Sequence, residues 1–186
     1  MLDKIINSCR YVANNSKSVK INEKKLSAFV ETIDKVEVRH WLSSSPYNLL
    51  ELPIESIINF LLVYEAIDFS FWGNPKWTIE TKQGNENGSI ALLYVMLKYI
   101  KDKNTTDFSN ITKEEFRKIL KGNIEIPLFE ERFNIIRNVS KIVNEKMKGN
   151  FYKYIKNITI DTELFEFIVN NFPNFKDERI YNNKII

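Results

Sequence analysis

Apolar residues recur at steps of three and four along most of this chain, the spacing of one face of an α-helix, and that periodicity narrows the fold to a mainly α, multi-helix one. Leu2, Ile5, Ile6, Cys9 and Val12 trace a first amphipathic helix, and Leu26, Phe29, Val30 and Ile33 trace a second over Glu23 to Ile33, with Asn22 as its N-cap. The polar stretch Ser43 to Pro46 closes this region. Pro53 fits the first turn of a third helix on Ile54, Ile57, Ile58, Leu61, Leu62 and Glu65. Further helices are predicted over Ile90 to Ile100, capped by Ser89, and over the residues that follow the capping box Thr112-Lys113-Glu114-Glu115, with Gly122 placed to end that one. A long helix should run from about Pro127 to Met147. Two short ones follow, Phe151 to Ile158 and Thr162 to Phe172, the latter capped by Asp161 and stopped before Pro173.

The periodicity changes once. Gly73-Asn74-Pro75 is turn chemistry and Trp77 to Thr81 alternates in the manner of a strand, which predicts a small β-hairpin near residues 76–84, while Gly84 to Gly88 reads as a loop.

With 186 residues, 44% of them hydrophobic, the chain can bury one sizeable core, and a single helical domain over 1–186 is expected. Its formal charge is +3, and its 27 basic and 24 acidic residues are interleaved. No polybasic stripe argues for direct nucleic-acid binding. No apolar run approaches the roughly 20 residues that span a bilayer. A single cysteine, Cys9, leaves no internal disulfide, and the N-terminus lacks the layout of a signal peptide, so a cytoplasmic protein is expected.

Asp68-Phe69-Ser70-Phe71-Trp72 sets a carboxylate, a hydroxyl and three aromatics at the end of an apolar helix. Such a group suits a planar heterocycle, which can stack on a ring and be read by polar side chains. Equally, the aromatics can be ordinary core packing, with Asp68 capping a turn. Pro127-Leu128-Phe129-Glu130-Glu131-Arg132 opens the long helix with two carboxylates and an arginine. A helix dipole favours acids there whatever their function, and successive helical positions diverge, so only one of Glu130 and Glu131 can face a given pocket. His40 is the only histidine, which excludes a histidine-based metal cage, and neither a Gly-x-Gly-x-x-Gly nor a Gly-x-x-x-x-Gly-Lys run supports a nucleotide cofactor. A structural role for His40 and a buried, unreactive place for Cys9 on its apolar stripe are expected.

Taken in order, several separated motifs resemble the queuosine salvage family, the queuosine 5'-phosphate N-glycosylases. They are Arg10 to Ser16 followed by Val19-Lys20-Ile21, then Asp68 to Trp72, Gly88-Ser89-Ile90-Ala91-Leu92, Pro127 to Arg132, and Phe172-Pro173 with Phe175 and Asp177. Asp68 to Trp72 is the most specific. Ser89-Ile90 departs from the aromatic pair expected after Gly88. The resemblance implies a DNA-glycosylase-like helical fold, hydrolysis of queuosine 5'-phosphate to release queuine, and water as co-substrate with no metal or cofactor. By the same resemblance Asp68 is the catalytic candidate, and Phe69, Ser70, Phe71, Trp72, Glu130 and Arg132 are the substrate-binding ones. The family pattern continues with Lys-Arg-Ala-Gln and Ala-Asp-Tyr-x-x-Pro-Gln segments absent here, and its principal catalytic aspartate is associated with that part. The chain is therefore expected to match the N-terminal portion of the pattern. The alternatives are a queuosine-nucleotide-binding module that lacks the C-terminal catalytic segment, or associates with it, and a helical interaction domain whose aromatics are only core.

Overall fold

The structure, a computed structural model, describes residues 2–18, 20–33, 49–82 and 84–176, together with two short strands at 180–181 and 184–185. His40, Ser43 to Pro46 and Asp177 lie outside the described residues. The chain divides into two compact units, Met1–Trp41 and Leu42–Ile186.

The first unit carries α1 (Leu2–Asn15) and α2 (Glu23–Ile33). Asn22 caps α2 as its sequence suggests, accepting from the Lys25 amide at 3.0 Å. Cys9 is exposed, contrary to expectation, because no described residue of α1 or α2 is buried.

The second unit holds the core. Its elements are α3 (Ile54–Glu65), a hairpin of β1 (Thr78–Thr81) and β2 (Gly84–Asn87), α4 (Gly88–Lys103), α5 (Lys113–Ile119), α6 (Phe129–Met147), α7 (Phe151–Ile155) and α8 (Asp161–Asn171). Two short antiparallel strands, β3 (Ile180–Tyr181) and β4 (Lys184–Ile185), end it. Helix α3 packs on α6 and α7, and α4 packs on the hairpin and α5. Phe60, Leu92, Met96, Phe116, Ile136, Val139 and Phe172 lie at the centre of these layers, each fully buried.

Several boundaries differ from the predicted ones, each for a local reason. Pro53 stands one residue before α3, at its N-cap. The second hairpin strand occupies the segment that reads as a loop, since Gly84-Asn85-Glu86-Asn87 has little strand propensity of its own and is held by register with β1, Thr81 opposite Gly84 and Ile79 opposite Glu86. Helix α4 takes Gly88 and Ser89 into its first turn, with Asn87 at the N-cap, and runs on to Lys103 before Asn104 ends it in a left-handed conformation. Leu128, also left-handed, delays α6 by two residues. Half of the capping box forms: Thr112 Oγ1 accepts from the Glu115 amide at 3.1 Å, but the Glu115 carboxylate accepts instead from the Tyr99 hydroxyl at 2.9 Å. Burial, then Glu115, pushes the Tyr99 phenol up to about 12.

Two asparagines lock the layers. Asn59, which interrupts the apolar run of α3, donates to the Gly149 carbonyl and accepts from the Phe151 amide, both at 2.9 Å, and so fixes the turn between α6 and α7. Asn123 receives the Thr78 amide at 2.7 Å and returns its own amide to the Thr78 carbonyl at 3.1 Å, acting as a one-residue partner to β1. Gly122 beside it has little to do with ending α5. A Cβ there would come within 2.4 Å of the Thr78 carbonyl oxygen and 2.5 Å of Trp77 Nε1, so only glycine lets this backbone approach the hairpin.

Candidate functional site

The last turn of α3 delivers the site. Ala66 caps the helix, the Ile67 amide donates to the Tyr64 carbonyl at 3.0 Å, and the Asp68 amide reaches Glu65 at 3.3 Å, so the chain leaves the helix in a tight turn with Ile67 fully buried and Asp68 half-buried. Beyond it Ser70 has φ +47, in the left-handed region that a serine adopts only when its surroundings hold it there.

What holds it is Arg132, in the first turn of α6. This side chain is 0% exposed, and its four hydrogen bonds all end on main-chain carbonyls. Nε donates to Pro127 at 2.9 Å, Nη1 donates to Ile67, and Nη2 donates to Phe69 and, at 3.2 Å, to Ser70. The guanidinium carbon lies 4.5 Å from the ring centre of Phe69 and 4.6 Å from that of Phe71. Burying a cation costs several kcal/mol even after relaxation. Four charge-assisted hydrogen bonds at about 1.5–3 kcal/mol each, with two ring contacts, are of the size needed to offset it. Burial pushes the guanidinium down to about 10, against the pull of the Asp68 and Glu131 carboxylates.

The aromatics of the segment divide by environment. Phe69 and Phe71 are half-buried against the core, and Phe71 also stacks near Trp77, with centroids 6.3 Å apart and planes 18° from parallel. Trp77 is itself anchored by Nε1 donating to the Leu120 carbonyl at 3.1 Å. Trp72, 85% exposed, is the open ring of the segment.

Asp68 lies near the Tyr64 phenol. Tyr64, one helical turn before it, donates its hydroxyl to the Ser89 carbonyl at 3.1 Å, and Gly88, with φ +61, brings the backbone to where a Cβ would lie 4.0 Å from the Phe71 ring. Burial raises the Tyr64 phenol, and the Asp68 and Glu65 carboxylates raise it further; burial and then Asp68 likewise raise Glu65. Asp68 Oδ1 is buried and makes no hydrogen bond of ordinary geometry among the described residues, while the Tyr64 phenol, already given to Ser89, lies near the Asp68 carboxylate. An orphaned carboxylate oxygen costs on the order of 1–3 kcal/mol or more, and such groups concentrate where a protein has a use for them.

The remaining predicted residues lie elsewhere. Glu130 is exposed and pairs with Lys113, the first residue of α5, at 2.5 Å. Phe172 is fully buried against Phe151 and Phe175. Tyr64 belongs to the site but was not singled out in the sequence; its only mark there is the four-residue step to Asp68, which the apolar trace of α3 conceals. A groove of about 1030 Å³ opens between the hairpin, α4 and α5, lined by Ile79, Tyr94, Lys98, Tyr99 and Glu115 among others, and no residue from Asp68 to Trp72 lines it. The clamped segment is thus separate from this groove.

Fold and geometry together define a helical protein that presents a carboxylate, a hydroxyl and an open indole on one loop held from behind by a buried arginine. The chain belongs to the queuosine salvage protein family, whose model it matches over residues 49–186, a span that contains every candidate site residue. It is similar to the queuosine 5'-phosphate N-glycosylase/hydrolase of Sphaerobacter thermophilus, at 30% identity over 132 residues, 68% of this chain and 41% of that protein. It is also similar to the proteins of the same name from Bos taurus, at 24% identity over 195 residues, and Mus musculus, at 24% over 193, in both cases 96% of this chain and 57% of the relative. The chain therefore spans 41% to 57% of the length of these relatives. Among the described residues no helix is long and apolar enough to cross a membrane.

Proposed function

We propose that this chain takes part in hydrolysis of the N-glycosidic bond of queuosine 5'-phosphate, with Asp68 to Trp72 as the pocket for the 7-deazaguanine base and its sugar. Family membership and the activity in the relatives' names supply the substrate class. The observation that carries the assignment to these residues is Asp68 Oδ1, a buried acceptor without a hydrogen bond of ordinary geometry, in the same five-residue segment as an indole that is 85% exposed.

In the proposed chemistry the bond from the anomeric carbon to the base nitrogen breaks, its electron pair leaves with the base, and the base nitrogen takes up a proton. Water forms the new bond to the anomeric carbon and loses a proton. Asp68 is suited to stabilise the positive charge that develops on the sugar, or to orient and deprotonate the water. Trp72 offers a stacking face, a contact contributing on the order of 1–3 kcal/mol per base. Ser70 offers a hydroxyl to a base edge. On the α6 side Arg132 supports the segment, and Glu130 is an exposed carboxylate two residues before it. The cytoplasm is the compartment we assign, in keeping with a nucleotide substrate and a free thiol at Cys9.

The test is incubation of the purified chain with queuosine 5'-phosphate, with queuine followed by chromatography beside a binding titration. Release of queuine, abolished by Asp68→Asn, is the expected result. Binding without release would move the catalytic group to the part of the relatives that this chain does not span and leave a nucleotide-binding module. No binding would overturn the proposal.

A further inference from the structure

We infer that Arg132 is a positioning residue: it shapes the Asp68–Trp72 segment through main-chain carbonyls and does not contact the substrate, an assignment that rests on that segment being the base pocket. Three observations converge. Four of its five N–H donors go to the carbonyls of Pro127, Ile67, Phe69 and Ser70. Both Phe69 and Phe71 lie against the guanidinium, within 4.6 Å of its carbon. The side chain is 0% exposed, so a ligand at the open indole of Trp72 reaches it only through the segment it holds.

The chemistry asks for arginine in particular. A guanidinium is planar, forks its donors toward several acceptors and stacks on rings. An ammonium carries the charge without the fork or the flat faces. The carbonyls it gathers are those on either side of Asp68, and the last belongs to Ser70, the residue in the left-handed conformation. Asp68 is thus fixed between two main-chain anchor points. The arginine supplies a template for the turn, and the segment supplies the groups that meet the ligand.

Three variants of the full chain test this: Arg132→Ala, Arg132→Lys and Trp72→Ala. Affinity for queuosine 5'-phosphate is expected to fall by at least about tenfold in Arg132→Ala, with hydrogen exchange at the Asp68 amide, which is bonded to the Glu65 carbonyl, faster by a similar factor and the amides of α4 and α6 protected as before. Millimolar guanidinium, added back, should restore both binding and protection, and ammonium should not. Trp72→Ala should lose binding with exchange at the Asp68 amide unchanged, which is the pattern of a direct contact. If Arg132→Ala does not fold, Arg132→Lys carries the test: it should keep the core protected while exchange at the Asp68 amide rises. Lost affinity in either arginine variant with exchange at the Asp68 amide as in the wild type would make Arg132 a substrate contact and overturn the inference, as would wild-type affinity in both. Failure of the wild-type chain to bind would instead sink the assignment of the pocket, whatever the exchange pattern.

Discussion

Tyr64 and Ser89 are joined across 25 positions of sequence, the phenol of one donating to the main-chain carbonyl of the other at 3.1 Å. This bond ties the end of α3 to the first turn of α4 at the level of Asp68. Tyr64→Phe removes the donor and leaves the ring, so unfolding free energy should fall by about 1 kcal/mol, visible in a chain of this size as a Tm lower by a few degrees. An unchanged Tm in calorimetry would mean the bond does not form in solution.

Under the proposed assignment, Asp68 and Trp72 would contribute differently to a bound nucleotide. Asp68→Ala and Trp72→Ala should each weaken binding by more than about tenfold, the scale of one stacking contact or one charged hydrogen bond. Only the first should also lower Tm, because it removes a carboxylate that acts on the buried Arg132 guanidinium. Unchanged affinity in both, by titration calorimetry, would remove the pocket.

Glu65 gives the site a pH dependence whose sign is fixed. Burial and the Asp68 charge raise its pKa above the usual 4.5, so the folded chain binds its proton more tightly than the unfolded one does. That contribution to stability is complete below about pH 4.5 and is lost as pH rises through the folded pKa. Glu65→Gln should therefore raise Tm at neutral pH, and the gain should shrink on acidification. A Tm difference that stays constant with pH would show that Glu65 titrates alike in both states.

Gly122→Ala should be destabilising by about 1–3 kcal/mol or more, since the new methyl would press on backbone and an anchored indole, and neither can rotate away. Thermal melts read this directly, and a neutral substitution would place Gly122 farther from the hairpin.

The helices were largely legible because their signals are local. The Asn22 cap and the Thr112 cap are side-chain oxygens three residues from the amides they accept, and both form. The β2 strand was not legible, because its pairing is dictated by β1 and by turn geometry and not by its own residues. Within the site, the composition of Asp68 to Trp72 stands out in one dimension, but the division of its rings does not. Nothing in Phe71 and Trp72 as letters tells that one packs beside Trp77 and the other meets solvent. Arg132 was conspicuous for its charge, while its partners are main-chain carbonyls up to 65 residues away, and carbonyls leave no mark in a sequence.

The Arg132 clamp separates where the proposed pocket is written from where its shape is kept. The five letters that would meet a nucleotide lie at the end of α3, yet the backbone path they follow is registered on α6, with the hairpin, α4 and α5 threaded in between. Closing so long a loop is a cost met only when the whole unit assembles. The site therefore cannot mature ahead of the core: an intermediate with α3 formed and α6 undocked would hold every pocket residue and none of the pocket.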